Sequence, residues 1–295
     1  MHFIAYILLY PILYLISILP FRVLYAVSDV LYLLIYRIFG YRKKVVASNL
    51  NLVFPDKSPE ELKRITKVFY HHLCDMIVEA IKSLSISERE MKKRFKFSNV
   101  ALIKDIEAQH RSIILMCAHY GSWEWIFILQ KYVTSKGNAV YKPLANKYFD
   151  RLVKRIRAKY NSYLISTKEI IPTLIKEKRD GVISINGFVS DQSPKLDKAF
   201  HWNDFMGVHV PVHTGAEMLA KKLDMAVVFF KVKKLKRGYY ETTFETITLM
   251  PKAHENYQIT DAFLKLVEDQ INEAPEYYLW THKRWKHKDK KPVNK

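Results

Sequence analysis

His119 and Glu124, in Ala118-His119-Tyr120-Gly121-Ser122-Trp123-Glu124-Trp125, are residue types that carry out acid–base chemistry. A carboxylate on one imidazole nitrogen fixes the tautomer and leaves the other nitrogen free as a base. Such a dyad can deprotonate a hydroxyl for attack on a thioester or ester, with no covalent enzyme intermediate. The bare spacing says little: among eleven histidines roughly one chance acid is expected at that offset, and the chain has one. Context says more. The apolar run 112–117 reads as a buried strand that delivers His119 to the C-terminal edge of a sheet, where α/β proteins bind ligands. Residues five apart on a helix lie about 140° apart in azimuth, so the pair meets only if the chain turns between them. Gly121 and Ser122 permit that turn. Ser122 and Cys117 are alternative nucleophiles, but no G-x-S-x-G elbow surrounds them. Trp123 and Trp125 read first as packing residues.

The elements that must position this segment are short apolar runs alternating with helical patterns. Runs 112–117, 139–141, 163–165, 182–185, 226–232 and 240–249 read as strands. Residues 148–159, 168–178, 213–223 and 260–273 read as helices. That alternation predicts an α/β fold with a mixed central sheet covered by helices on both faces. The last two strands form a hairpin around Arg237-Gly238 at the sheet's edge. Upstream, 59–84 reads as a long helix with Ser58 as N-cap and Glu61 as its capping-box partner. Leu62, Ile65, Val68, Phe69, Leu73, Met76, Ile77 and Ala80 recur along it at helical spacing. The adjacent His71 and His72 point to different faces and read as structural.

Composition narrows the function. At 295 residues, 49% hydrophobic and 26% charged, the chain is not disordered. Two cysteines build no disulfide framework, and no zinc site without several histidines, and no G-x-G-x-x-G or Walker A loop is present. Neither a cofactor nor a metal is expected. Lys and Arg number 48 against 29 acids, a net charge of +19. Three stretches hold all of it: 131–160 (+8), 231–238 (+5) and 281–295 (+6). Such a chain seeks acidic partners. The first 21 residues carry no charged side chain, and 3–19 is nearly all apolar. This is at the short end of the roughly 20 residues a spanning helix needs. It lacks the basic start and small-residue cleavage site of a signal peptide. It reads as a retained membrane anchor, with a buried core helix as the alternative that Pro11 favours. Arg22, Arg37, Arg42, Lys43 and Lys44 follow and hold the downstream chain in the cytoplasm. A second apolar run, 23–39, has Asp29 near its middle, costly inside a bilayer, and reads as lying on the membrane surface. The expected partition is 1–21 anchor, 22–44 surface helix and basic linker, 45–285 α/β domain and 286–295 basic tail.

At this point the sequence resembles the lipid A biosynthesis lauroyl/myristoyl acyltransferases, part of the larger lysophospholipid acyltransferase-like group. The resemblance runs over nearly the whole chain. It is carried by Asn49-Leu50 and Phe54-Pro55, then His119-x-Gly121-x-Trp123-Glu124. Tyr141-Lys142-Pro143, Asn146, Phe149-Asp150 and Arg157 follow. Asp191-Gln192, Phe205-x-Gly207 and Trp280-x-His282-x-Arg284-Trp285-Lys286 complete it. The resemblance implies a glycerolipid-acyltransferase-like fold. It implies transfer of a fatty acyl chain from acyl carrier protein, or from acyl-coenzyme A, to a lipid hydroxyl. The place implied is the cytoplasmic face of the bacterial inner membrane. His119 is then the general base and Glu124 its orienting carboxylate. Arg157 is expected near a substrate phosphate or the developing oxyanion, and Asp191 as structural support. Tyr141, Lys142, Asn146, Gln192 and Arg284 are expected to line the substrate site. Lys142 stands where the family often has Arg, Trp285 where it has Phe, and Ala118 where Asn commonly precedes the histidine.

The acceptor is expected to be a phosphorylated lipid, a lipid A precursor before a lysophospholipid, amino-acid lipid or glycolipid. The Phe-Pro-Glu-Gly-type block of glycerolipid acyltransferases is missing; Asn186-Gly187-Phe188 with Asp191-Gln192 stands in its region. A membrane-anchored nucleic-acid-binding protein is the remaining alternative. It would need exposed aromatics interleaved with its basic segments, which are only faintly present.

Overall fold

The computed structural model describes residues 2–290. Its centre is a seven-stranded sheet in the order β1-β9-β8-β2-β5-β3-β4. The strands are β1 Phe95–Phe97, β2 Ile113–Cys117, β3 Lys136–Tyr141, β4 Ser162–Ser166, β5 Ser184–Val189, β8 Ala226–Lys236 and β9 Tyr239–Thr248. Every neighbouring pair is parallel except the β8–β9 hairpin. A separate antiparallel hairpin, β6 His201–Phe205 with β7 Val208–Val212, lies outside this sheet. All six expected strands are present. Two details differ. The hairpin is not the edge, because the three-residue β1 pairs in parallel with β9 beyond it. Strand β5 also runs on through Asn186-Gly187 to Val189, beyond the expected end at 185. Asn186 is fully buried there, and its amide donates to the Ile113 carbonyl at 3.1 Å. Its Oδ1 accepts from Asn138 at 2.9 Å.

Strand β2 is buried on both faces, as its unbroken apolar run requires. Ile114 and Met116 face one core cluster, and Ile113, Leu115 and Cys117 face the other. The first cluster packs the sheet against helices α3 Lys43–Val53, α4 Pro59–Lys82, α8 Ile170–Arg179, α9 Gly215–Leu223 and α10 Gln258–Glu273. The second covers the opposite face with α5 Glu88–Arg94, α6 Ala101–Ala108 and the 3₁₀ segment Trp123–Lys131. Helix α4 starts as expected: Ser58 Oγ accepts from the Glu61 N–H at 3.2 Å.

The N-terminal apolar run forms α1 His2–Ile18 and α2 Phe21–Tyr32, the latter continuing into a π-helical segment, Leu33–Ile38. Among the described residues no single helix is long and apolar enough to cross a membrane. Helix α1 packs one face on the domain. Tyr6 stacks on Tyr148 and meets Phe149 edge-on, both on α7 Lys147–Arg157. Lys82 Nζ donates to the Ser17 and Leu19 carbonyls at 2.7 and 2.8 Å. Away from that contact Ile4, Ile7, Leu8, Leu9, Ile12, Leu15 and Ile18 are exposed.

Asp29 of α2 is not stranded in the apolar run. It accepts from Arg237 Nη2 at 2.6 Å, and Arg237 also clasps the buried Asp75 at 2.7 and 2.9 Å. Lys43 and Lys44, placed by sequence in a linker, open helix α3. Residues 291–295, half of the expected basic tail, lie outside the described residues.

Candidate active site

The register of the parallel sheet brings His119 and Asp191 together. In the β2–β5 pair Cys117 lies opposite Val189, and each functional residue sits two positions beyond its strand. They therefore leave the sheet side by side at its C-terminal edge. The Asp191 Oδ1 is 2.7 Å from His119 Nδ1 and also accepts the His119 backbone N–H at 3.2 Å. Asp191 is 1% exposed. This contact fixes the tautomer: Nδ1–H donates to Asp191, and the Nε2 lone pair points outward. The Gln192 side-chain nitrogen lies 3.3 Å from that Nε2.

Burial pulls the His119 pKa down, but the charge and hydrogen bond of Asp191, helped by the charge of Glu124, raise it above its ordinary value overall. Burial likewise pushes Asp191 up, and the charge and hydrogen bond of His119, with backbone N–H groups, more than offset this, holding the carboxyl below its usual range. Each partner stabilises the charged form of the other.

The expected His119–Glu124 contact is not made: the carboxylate on the ring is Asp191. Gly121, at φ +57°, turns the chain after His119, and its backbone N–H donates to the Tyr277 carbonyl at 3.0 Å. The 3₁₀ segment that follows carries Glu124 away, toward α7. There Arg157 grips both its oxygens, Nε to Oε2 at 2.9 Å and Nη2 to Oε1. Glu124 acts on His119 only through space.

An apolar cavity of about 320 Å³ opens at the Glu124–Arg157 pair. Helix α4 contributes Leu73, Met76, Ile77 and Ala80; α7 contributes Val153 and Ile156; Trp123, Phe127 and Tyr160 close it. The Glu124–Arg157 pair and Gly121 lie in its wall. Half of the apolar stripe seen along α4 in sequence thus faces this space, while Ile65 and Phe69 of the same stripe are fully buried. Periodicity marks both alike, so the sequence holds no signal that separates lining from core. Trp123 meets the His119 ring edge-on at 5.2 Å, whereas Trp125 is core and donates to Ser83 Oγ at 3.1 Å.

The other expected residues fall in different places. Tyr141 is buried at the end of β3, and its hydroxyl donates to Asp150 at 3.3 Å. Asn146 caps α7, its Oδ1 accepting the Tyr148 and Phe149 N–H groups at 3.0 and 3.4 Å. Lys142 is exposed. Arg284 is 1% exposed. It packs on the Phe205 ring and donates to the Pro211 carbonyl at 3.2 Å and to Ser193 Oγ at 3.5 Å. It braces the loop that carries Asp191. The nucleophile alternatives weaken: burial, then the charges of Asp191 and Glu124, push the Cys117 thiol up. Among the described residues no hydrogen bond joins Ser122 Oγ to His119.

The basic run 231–238 also turns inward in part. Lys234 Nζ donates to His72 Nδ1 at 3.1 Å and to Asp75 at 3.4 Å, and Arg237 pairs as described. These cations hold α2, α4 and the β8–β9 hairpin together. Of the run 131–160, Lys131, Lys136, Lys154 and Arg157 are paired with acids, and Lys142, Lys147, Arg151 and Arg155 are exposed.

A histidine paired with a buried carboxylate at the edge of a parallel sheet, with an apolar cavity beyond the neighbouring Trp123, is an arrangement that suits acid–base chemistry on a substrate with a long apolar part. The sequence model of the bacterial lipid A biosynthesis acyltransferases matches residues 2–287, and the chain belongs to that family. It is an acyltransferase. It is 26% identical over 279 residues to the lipid A biosynthesis lauroyltransferase of Escherichia coli (strain K12), covering 93% of this chain and 89% of that one. It is 22% identical over 250 residues to the lipid A biosynthesis palmitoleoyltransferase of the same strain, covering 83% and 79%. The same figures hold for a lipid A biosynthesis acyltransferase of Shigella flexneri.

Proposed function

We propose that the protein moves a fatty acyl chain from a carrier thioester to a hydroxyl of a lipid A precursor, at the cytoplasmic face of the inner membrane. The acyl chain lies in the apolar cavity with its thioester carbonyl near Gly121 and Trp123. The acceptor hydroxyl displaces Gln192 from His119 Nε2. As its oxygen attacks the carbonyl carbon, its proton passes to Nε2, and Asp191 stabilises the imidazolium formed. The tetrahedral intermediate collapses, the C–S bond breaks, and the imidazolium returns the proton to the leaving thiolate. The product is an ester, and the enzyme is restored with no covalent intermediate. Glu124 holds Arg157 by Nε and Nη2, leaving Nη1 as the nitrogen available to the oxyanion or a substrate phosphate.

The observation that carries this reading is the His119–Asp191 pair with Trp123, a wall residue of the apolar cavity, against its ring. The family supports the acceptor class. The exposed apolar face of α1, with the exposed Val23, Val30, Leu33 and Ile38 that follow, supports embedding in the membrane surface. The exposed cations Arg151 and Arg155 suit an acidic carrier protein as donor.

The test is turnover with acyl-carrier and acyl-coenzyme A donors on a lipid A precursor, a lysophospholipid and a glycolipid, with products identified by mass. His119→Ala should abolish the ester product while leaving expression and membrane association intact. Turnover by that variant, or a product on another lipid only, would overturn the reading.

A further inference from the structure

A second concavity, of about 350 Å³, lies between α3 and the C-terminal segment 283–289. One wall is Lys44, Val45, Ser48, Asn49 and Leu52; the other is Lys283, Trp285, Lys286, Lys288 and Asp289. Four cations thus surround it against one acid, and that acid is taken: Asp289 accepts from Lys288 at 2.9 Å. Among the described residues Lys44, Lys283 and Lys286 are exposed and make no ion pair. Three like charges around one crevice repel each other, and an anion between them relieves that repulsion.

The walls are tied to the rest of the domain by hydrogen bonds and ring stacking. Asn49, buried in α3, donates to the Trp280 and His282 carbonyls at 2.9 and 2.8 Å. Arg42 donates to the Thr281 carbonyl at 2.9 Å. Trp285 stacks between Phe205 and Trp280, and its Nε1–H donates to the Phe205 carbonyl at 3.1 Å. The lysines therefore project from a braced frame. Just before α3 the chain exposes Ile38 and Phe39, 69% and 76% accessible, with Tyr41 beside them. Apolar groups next to a cationic crevice match an amphiphile with an anionic head.

We propose that this crevice binds the phosphate of an anionic lipid headgroup. It is a site apart from the His119 cavity, and it stands or falls without reference to acyl transfer because binding is read without turnover. It gives the excess charge of the C-terminal stretch a specific ligand and seats the domain at a phosphate-rich surface beside its apolar α1–α2 face.

The experiment floats the full-length protein with vesicles of phosphatidylcholine alone and with phosphatidic acid or phosphatidylserine at equal surface charge. The expected result is stronger partition into the phosphatidic acid vesicles than into the phosphatidylserine ones. At roughly fivefold per lysine, the Lys44→Gln/Lys283→Gln/Lys286→Gln variant should partition about a hundredfold less into phosphatidic acid vesicles. Its melting temperature in detergent should be unchanged. A control with Lys104→Gln, Lys176→Gln and Lys252→Gln removes the same charge from other exposed positions and should lose far less. Equal losses in the two triples, or no preference between the anionic lipids, would overturn the proposal. Titration of glycerol 3-phosphate by calorimetry separates the sources. Heat with wild type and none with the crevice triple supports a site that takes soluble phosphate too. Vesicle binding alone supports the headgroup as the source. Intact vesicle binding with lost binding of acidic carrier protein would overturn the proposal in favour of protein docking.

Discussion

Replacing Asp191 by Asn keeps the shape of the contact to His119 and removes its charge. The Asn oxygen can still accept the ring and backbone N–H groups that Asp191 Oδ1 takes at 2.7 and 3.2 Å. What is lost is stabilisation of the imidazolium that forms as the acceptor hydroxyl gives up its proton. General-base assistance is worth about 10²–10⁴ in rate, which corresponds to about 3–5 kcal/mol of activation free energy. A fall in kcat within that range is expected. The pH profile carries a second signature. In wild type the base form appears as pH rises through a His119 pKa held above about 6.5, because Asp191 and Glu124 outweigh burial. In Asp191→Asn the largest raising influence is gone while burial remains, so the acid limb of kcat/KM should move to lower pH even as the plateau falls. Stability should follow the same linkage. The His119 contribution is fully present below the unfolded histidine pKa and is lost as pH rises through the raised folded one. The Asp191 contribution is present above its unfolded pKa and is lost as pH falls through the depressed folded one. The assay is initial rate against pH for wild type, Asp191→Asn and Glu124→Gln. A wild-type kcat and unmoved limb in Asp191→Asn, with both changed in Glu124→Gln, would refute the assignment and restore Glu124 as the ring's partner.

Ala80→Phe, which adds a ring to the wall of the apolar cavity, should shift the preferred acyl donor to shorter chains. Each methylene of fit is worth about 10–200-fold, and competition between donors read by product mass would measure it. Gly121→Ala should cost both strain at φ +57° and a clash, since a Cβ there would lie 2.8 Å from Val232 Cγ1. A loss of about 2–4 kcal/mol is expected in chemical denaturation, and adding Val232→Ala should recover the clash but not the strain. Arg284→Ala should lower stability by about 2–3 kcal/mol, through the opened Pro211 and Ser193 contacts, and leave KM for the acyl donor unchanged. A raised KM with unchanged stability would return Arg284 to the substrate site.

The local parts of this structure were legible because each depends on neighbours along the chain. The buried strand before His119 shows as an unbroken apolar run, and Ser58 with Glu61 starts α4 as its spacing says. The extension of β5 past 185 was not legible because a buried polar ladder through Asn138 and Glu177 keeps Asn186 in the strand, and those partners lie 48 and 9 residues away in the chain. The run 231–238 looked like a basic face for the same reason. Asp29 and Asp75, the acids that draw Arg237 inward, come from helices some 160 residues or more upstream.

By itself the sequence determined that a strand delivers His119 to the edge of an α/β sheet, that an apolar stretch begins the chain, and where the excess positive charge sits. It also carried, through family resemblance, the residues Asp191 and Arg157. Only the tertiary structure decided which carboxylate serves the imidazole. Glu124 is five residues from His119 and Asp191 is seventy-two, yet chain distance is irrelevant once β5 lies beside β2 in parallel with Cys117 opposite Val189. Equal steps beyond paired strand ends bring Asp191 to the ring, while the positive φ at Gly121 sends Glu124 to Arg157. A hydrogen bond answers to distance in space, and in a parallel sheet that distance is set by strand order and register.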